Sequence, residues 1–459
     1  MVAADYLIVG AGAAGMAFAD ALLDHADVRV ALVDGRHGVA GHWLDAYPFV
    51  RLHQASAFYG VASTQLGQGR TQSTGPEIGL YERATAPQVV AYYAGVLERL
   101  TASGQVLFFS NCEYRGGAGF VSVLSGKRYE VTGSPRIVDA RYLSPDIPAR
   151  TPPPFAVADG ARVITVNELA RVADAPREFV VVGSGKTATD ACVWLLDRGV
   201  DPDAIRWIRP REPWMINRAV LQPDPVRVLG MAADTMEAAI ASASPDDMFL
   251  RLEEAGVVLR IDRGLLPTMA KTPTIASWEI DRLRSIENVV RRGRVRGVET
   301  GRITLTGGDV RVSTDAVVVH CAASGLKYPP VVPIWGDGGI VLQPVRPGFP
   351  CFGAAAIGYV EATRDSDDEK NRVCQPSCLS DTPVSWSRMQ ALGNRAARAL
   401  SAEPDIKAWA NGTTLNPARI TPERADDPEV RAAMDRFQAH VVAGMARLAE
   451  YADLTSEGR

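Results

Sequence analysis

The feature that most restricts this chain is a pattern it carries twice. Four residues, Tyr6-Leu7-Ile8-Val9, run straight into Gly10-Ala11-Gly12-Ala13-Ala14-Gly15 and then into an alanine-rich apolar stretch from Met16 to Leu23. A second apolar stretch, Val28–Val33, comes next and ends at Asp34. The same grammar returns at Phe179-Val180-Val181-Val182, then Gly183-Ser184-Gly185-Lys186-Thr187-Ala188, the apolar stretch Ala191–Leu196 and Ile205-Arg206-Trp207-Ile208. A short strand, a glycine turn, a helix and another strand open a dinucleotide-binding fold. Two such openings predict an α/β chain with two Rossmann-like dinucleotide-binding domains.

The punctuation between them suggests nesting. Prolines cluster at Pro145–Pro154, before the second opening, and a second break falls at Ser324–Pro333, after the apolar run Ala316–Val319. Residues 1–150 and 325–459 are therefore expected to form the first domain, with 151–324 inserted between them. Inside the insert, residues 213–285 read mainly as helices and loops. Val295–Val298, Arg302–Leu305 and Val310–Val312 read as a small meander turning at Gly301 and Gly307-Gly308. The tail from Pro428 to Asp453 has helical spacing, with Val430, Met434, Phe437, Val441, Met445 and Leu448 on one face.

Composition narrows the class. With 47% hydrophobic residues and 22% charged over 459 residues, the chain has ample mass for a packed core. A net charge of -4 with no long run of one sign gives no reason to expect a nucleic-acid partner. No apolar stretch has the length of a membrane span, and the short run Tyr6–Val9 lacks the basic leader of a signal peptide. Six cysteines in so long a chain are no disulfide scaffold, so the cytoplasm is the expected compartment. Cys374 and Cys378 make a CxxxC pair, too few ligands for a metal site, and none is expected.

In the first turn, Gly10 permits the sharp bend, Gly12 lets backbone approach a pyrophosphate, and Gly15 lets helix pack on strand. The phosphates then meet free N–H groups at the helix N-terminus. Asp34, 19 residues past Gly15, stands where an acid hydrogen-bonds ribose hydroxyls. FAD is the expected occupant because of the residues beyond Asp34. These are Gly41-His42-Trp43 and then the aromatic and polar run from Tyr47 to Tyr59, including Arg51, His53 and Gln54. An isoalloxazine ring needs such flat apolar surface with a few polar groups at its reactive edge. In the second turn Gly183, Ser184, Gly185, Lys186 and Thr187 are the expected phosphate cradle. A Walker loop is excluded, because Val180 stands where that motif needs glycine. The strand after it ends not in an acid but in Arg209, with Arg211 beyond and Arg206 before. This pattern suits a 2′-phosphate and favours NADPH over NADH.

Together these segments resemble the flavin-dependent class B monooxygenases, which have two dinucleotide-binding domains. Gly41-His42-Trp43 is similar to their GGxW segment. Tyr47, Pro48, Arg51, Ser56 and Tyr59 match the YPGxRxDxxSxxY segment of the Baeyer–Villiger branch, and Arg211-Glu212-Pro213-Trp214 resembles an Arg-Gly-Pro-Trp segment of the NADPH domain. The chain also departs from the pattern. His53 replaces the acid of the Baeyer–Villiger segment, and the asparagine of the N- and S-oxygenating branch is not there either. The FxGxxxHxxxW fingerprint is absent, with Phe155–Gly160 in its place. The Ala-Thr-Gly linkers survive only as Asp139-Ala140-Arg141 and Ala322-Ala323-Ser324-Gly325.

The resemblance implies hydride transfer from NADPH to FAD, reaction with molecular oxygen to a flavin peroxide, and oxygen insertion into a small organic substrate. On that reading His53 and Gln54 are the expected catalytic residues. A histidine titrating near neutral pH would set the peroxide's protonation state, and Gln54 would donate a hydrogen bond. Lys271 is the expected basic replacement for the Baeyer–Villiger arginine. Residues 213–285 and Cys351–Asp381 are expected to line the pocket. Two alternatives stay open: an NADPH-dependent flavoprotein reductase or oxidase without oxygen insertion, and a non-catalytic FAD- or NADPH-binding sensor. No cysteine precedes Cys112, against a disulfide reductase.

Overall fold

A computed structural model of the chain describes residues 1–323 and 325–454. It opens with β1 (Tyr6–Val9), α1 (Ala13–His25), β2 (Val30–Val33), β3 (Val106–Phe109) and β4 (Arg136–Asp139). The inserted unit comes next: β5 (Val163–Thr165), β6 (Phe179–Val182), α2 (Lys186–Asp197), β7 (Ile205–Ile208), α3 (Pro225–Ala241), α4 (Pro245–Glu254), β8 (Val289–Val290) and β9 (Val317–His320). The chain returns with β10 (Trp335–Gly336), β11 (Gly339–Val341), α5 (Pro350–Thr363), α6 (Pro383–Ala402) and α7 (Pro428–Tyr451).

Two sheets carry the nesting. The first has the order β10-β11-β4-β1-β2-β3, so strands from before and after the insert lie side by side. The second is β5-β9-β6-β7-β8, parallel throughout. Leu7, Ile8 and Leu32 in the first, and Val180, Val181 and Val319 in the second, are fully buried. Parallel strands covered on both faces need such unbroken aliphatic runs. The meander forms as Val295–Glu299, Arg302–Leu305 and Gly308–Arg311, the last two residues earlier than its apolar pattern suggests, and Ala156–Val157 adds a fourth strand. Ser324, part of the expected second break, lies outside the described residues.

Helix α5 differs from expectation. Cys351–Glu361 is buried without a break, and α5 packs along α1. A Cβ on Gly358 would stand 2.5 Å from the Phe18 carbonyl oxygen, so only glycine allows this approach. This first part of the segment Cys351–Asp381 is therefore core rather than pocket wall. The tail also goes elsewhere. Helix α7 packs on α3 of the insert, not on the first sheet. Gly444 makes this contact, because a Cβ there would lie 2.7 Å from the Met236 sulfur. Trp214, Phe249 and Trp386 join in one aromatic cluster, with centroids 5.4 and 5.1 Å apart, so α6 and α7 close the helical layer of the insert. Chain position assigned this tail to the first domain. The exposed apolar stripe of α3 and α4 decided where it packs, because burying that stripe is the dominant favourable term.

Among the described residues no helix is long and apolar enough to cross a membrane.

Candidate functional site

The first glycine turn is a cradle by construction. Gly10 sits at φ +110°, a conformation costly for any residue with a Cβ. A Cβ on Gly15 would fall 1.9 Å from the Gly10 carbonyl oxygen, so the third glycine brings helix onto turn. Gly12 is different: its Cβ would meet only Gly41 Cα at 3.6 Å, an ordinary contact. Asp34 is buried and tied to this turn, accepting from the Ala11 amide at 2.7 Å and the Arg36 amide at 2.8 Å. A carboxylate offers about four lone-pair sites, so ribose hydroxyls remain within its capacity. The Ala40 amide donates to the Ala11 carbonyl at 3.0 Å, bringing Gly41 and His42 to the cradle. Trp43 donates its indole N–H to the Tyr59 hydroxyl at 2.7 Å. Burial lowers the His42 imidazole to about 4, with Arg36 adding to the effect. Arg51 is exposed, and its guanidinium donates to the Arg83 carbonyl at 3.3 Å.

The second turn repeats the geometry. Gly183 sits at φ +143°, and a Cβ there would meet the Cys321 carbonyl oxygen at 2.9 Å. Gly185 caps α2, and nothing lies within 4 Å of where its Cβ would be, so the backbone there is open to a phosphate. Ser184 accepts the Arg211 amide at 3.2 Å.

Three expectations change here. Lys186 does not extend toward the cradle. Its buried ammonium pairs with Asp190 and, at 3.2 Å, with Glu279. Arg209 is a core residue, 1% exposed, with its guanidinium 4.3 Å from the Trp207 ring and 3.0 Å from Glu212. A cation so enclosed cannot meet a nucleotide. Arg211 stays at the rim, with its side chain on Asp381 at 2.8 Å. Lys271 joins this same rim, 3.9 Å from Asp381 and 5.4 Å from the Tyr328 ring centre.

The run from Tyr47 to Tyr59 also divides. Tyr47 donates to Asp190 at 2.6 Å, and Phe49 stacks on Trp194 at 4.8 Å, so this half fastens the first domain to α2. The other half turns toward the start of α5. Gln54 donates to the Gly348 carbonyl at 2.8 Å, and Phe58 meets Phe349 edge-on at 5.1 Å. His53 lies between them. Its carbonyl accepts from Arg218 at 3.0 Å and from the Thr274 hydroxyl. Burial, with Lys186 and Arg218 nearby and Asp190 opposing, lowers its imidazole to about 3.

The expected titration of His53 near neutral pH is therefore corrected: the ring stays neutral. A folded value of about 3 against an ordinary 6.5 means that the unfolded chain binds the proton first. The folded state thus keeps this contribution above pH 6.5 and loses it as pH falls toward 3. Histidine-resolved NMR on the folded chain is expected to show no His53 inflection between about pH 5 and 8. An inflection near the ordinary value would refute its enclosure.

Sequence reasoning missed a buried charge network at the same joint. Arg218, fully buried, contacts Glu77 of the first domain and Glu279 of the insert, the latter at 2.7 Å. Arg83 holds Glu77 at 2.7 Å from the other side. These residues are up to 202 positions apart, from Glu77 to Glu279, and no local motif links them. The cysteines form no disulfide. Burial pushes the Cys374 thiol up, and no cluster among the described residues could hold a metal.

The comparisons with known proteins agree with this architecture. Residues 8–56 match the model of the NAD(P)-binding Rossmann-like domain. A solved cyclohexanone monooxygenase with ε-caprolactone bound has a TM-score of 0.53 at 13% identity, over 88% of this chain and 98% of that one. A steroid monooxygenase bound to NADP has 0.49 at 15%, over 100% and 99%. The first of these shares its fold with this chain, which has two Rossmann-like α/β units. Within it, the chain is 40% identical over 466 aligned positions to the uncharacterized protein Rv2000 of Mycobacterium tuberculosis, covering 99% of this chain and 86% of that one. The chain belongs to the family of that protein. Protein Mb2023 of Mycobacterium bovis matches with the same figures.

Proposed function

We propose that this chain is an FAD-containing, NADPH-dependent monooxygenase that inserts one atom of molecular oxygen into a small organic substrate. The observation carrying this reading is the pair of glycine cradles at the starts of α1 and α2, joined through Tyr47 and Asp190. Two cradles in one chain suit two nucleotides, and a Cβ at Gly15 or Gly183 would close either turn.

Gly10, Gly12 and Gly15 would hold the FAD pyrophosphate and Asp34 its ribose, while Gly41, His42, Trp43 and Arg51 border the flavin side. Gly183, Ser184, Gly185 and Thr187 would hold the NADPH pyrophosphate. Arg211 is the rim cation suited to the 2′-phosphate, with Lys271 beside it. Bound FAD supplies the redox chemistry, accepting hydride from NADPH and activating oxygen. His53 contributes as a neutral hydrogen-bonding group, and Gln54 as an amide fixed by Gly348. The joint at Tyr47, Phe49 and Trp194 helps keep water out between the domains.

The purified chain is expected to be yellow with about one FAD per chain and to bleach with NADPH under argon. Peroxide released per NADPH should fall when an accepted substrate is added. A colourless chain, or flavin that NADPH leaves oxidised, would rule the proposal out. Peroxide equal to NADPH with every substrate tried would make the chain an oxidase.

A further inference from the structure

Nearly every enclosed cation in this molecule has an internal acceptor. Lys186, Arg209, Arg218 and Lys370, the four most buried, all pair with carboxylates. The half-buried ones do likewise or reach a carbonyl, as Arg419 does to Asn411 at 2.9 Å. Arg346 is the exception. It is half-buried, and among the described residues no carboxylate lies within ion-pair distance of its guanidinium and no carbonyl accepts from it. Enclosing a cation without a counter-charge is costly, and proteins ordinarily pair or expose it. The strain is visible in its chemistry, since burial alone holds the Arg346 guanidinium below the usual arginine range.

Its place in the fold makes this useful. Arg346 lies in the loop between β11 and α5, at the carboxyl end of a parallel strand of the first sheet, where open α/β sheets bind ligands. Val345 before it is buried, and Pro347 after it sits where a Cβ on Gly393 would come within 2.1 Å, so the loop is wedged. The Phe349 amide donates to the Arg346 carbonyl at 3.1 Å, closing a turn. Gly348, two residues on, receives Gln54, and Phe349 meets Phe58. The loop that carries Arg346 is thus fixed beside the very segment that the proposed reaction uses.

Resting on the reading of the chain as a flavin monooxygenase, we propose that Arg346 is the anchor for a carboxylate on the organic substrate. A guanidinium presents two parallel N–H groups that match a carboxylate bidentately. Phe58 and Phe349 are buried against each other and hold the loop in place, so the selectivity rests on the guanidinium. The substrate class is then an organic acid rather than a neutral ketone or amine.

The test is isothermal titration of the full chain with hexanoate, its neutral isostere hexanamide and inorganic phosphate, which reads binding whether or not flavin is present. Hexanoate is expected to bind the unaltered chain at least about tenfold more tightly than hexanamide or phosphate, and Arg346→Ala to abolish that preference. Arg346→Lys should keep part of it, since a point charge replaces the fork. Thermal melting of both variants checks folding, and the lysine variant serves if the alanine variant unfolds. Equal binding of hexanoate and hexanamide, or hexanoate binding unchanged in a folded Arg346→Ala, overturns the proposal. So does phosphate binding that outranks hexanoate. Loss of flavin in Arg346→Ala with hexanoate binding intact would instead place Arg346 in the cofactor site, and the carboxylate role would fall. Absent flavin in the unaltered chain would sink the proposed function while leaving the titration readable.

Discussion

Gly15→Ala is expected to unmake the first cradle, whereas Gly12→Ala leaves it folded and empties it. The new Cβ at position 15 would lie 1.9 Å from the Gly10 carbonyl oxygen, inside any allowed contact, so helix and turn must separate. The neighbours cannot yield easily, since Met16, Ala17 and Phe18 are fully buried. Overpacking of this kind costs about 3 kcal/mol or more. At position 12 the same methyl has room within the protein, 3.6 Å from Gly41 Cα. There it stands where a pyrophosphate needs bare backbone. Measured together, melting temperature and flavin content separate the two roles. Gly15→Ala should lose both, and Gly12→Ala should lose flavin alone. A Gly12→Ala chain that melts normally and stays fully yellow would show that the phosphates do not lie on this turn.

Arg218→Met is expected to cost about 3 kcal/mol at neutral pH, and much less in acid. Arg218 is completely enclosed and serves two carboxylates on two domains. Burial by itself would raise Glu77 and Glu279, yet Arg218, Arg83 and Lys186 hold both below the ordinary 4.5. With depressed folded values, their stabilisation is present above pH 4.5 and lost as pH falls through the folded values. Removing Arg218 leaves Arg83 for Glu77 and Lys186 for Glu279, so neither carboxylate is stranded entirely. Burial then gains weight and both move up, toward the neutral acid. Denaturant unfolding at pH 7.5 and near pH 4 should therefore show a deficit that shrinks on acidification. A deficit equal at both pH values would mean that packing, not charge, is what Arg218 supplies.

The two readings of the stretch from Tyr47 to Tyr59 show how far a sequence reaches. Its aromatic content suggested one continuous flavin wall. Tyr47 and Phe49 instead face Asp190 and Trp194, while Gln54 and Phe58 face the loop before α5. Composition reports that flat apolar surface is present, not which neighbour covers it. His53 carries the same lesson. Its identity promised titration near neutrality, but Lys186 and Arg218, 133 and 165 positions away, are among what holds it neutral. Arg209 looked like a phosphate ligand from its place at the strand end and is instead stacked on Trp207. Arg346 carried no signal at all, because lacking a partner among the described residues is a property of three-dimensional surroundings.

What the sequence determined by itself was local and periodic. The strands around Leu7 and Val181, the turns at Gly10 and Gly183, and the helices after them obey short-range rules. Apolar runs favour buried strands, and positive φ with close backbone approach demands glycine. The nested order was legible too, since it needs only the positions of the two turns and the breaks. The tertiary structure alone decided which charges meet. It set Glu77 against Arg218, sent α7 to the insert and left Arg346 without an acceptor among the described residues. Coulomb interaction and burial depend on distance in space, and residues hundreds of positions apart acquire that distance only when the chain is folded.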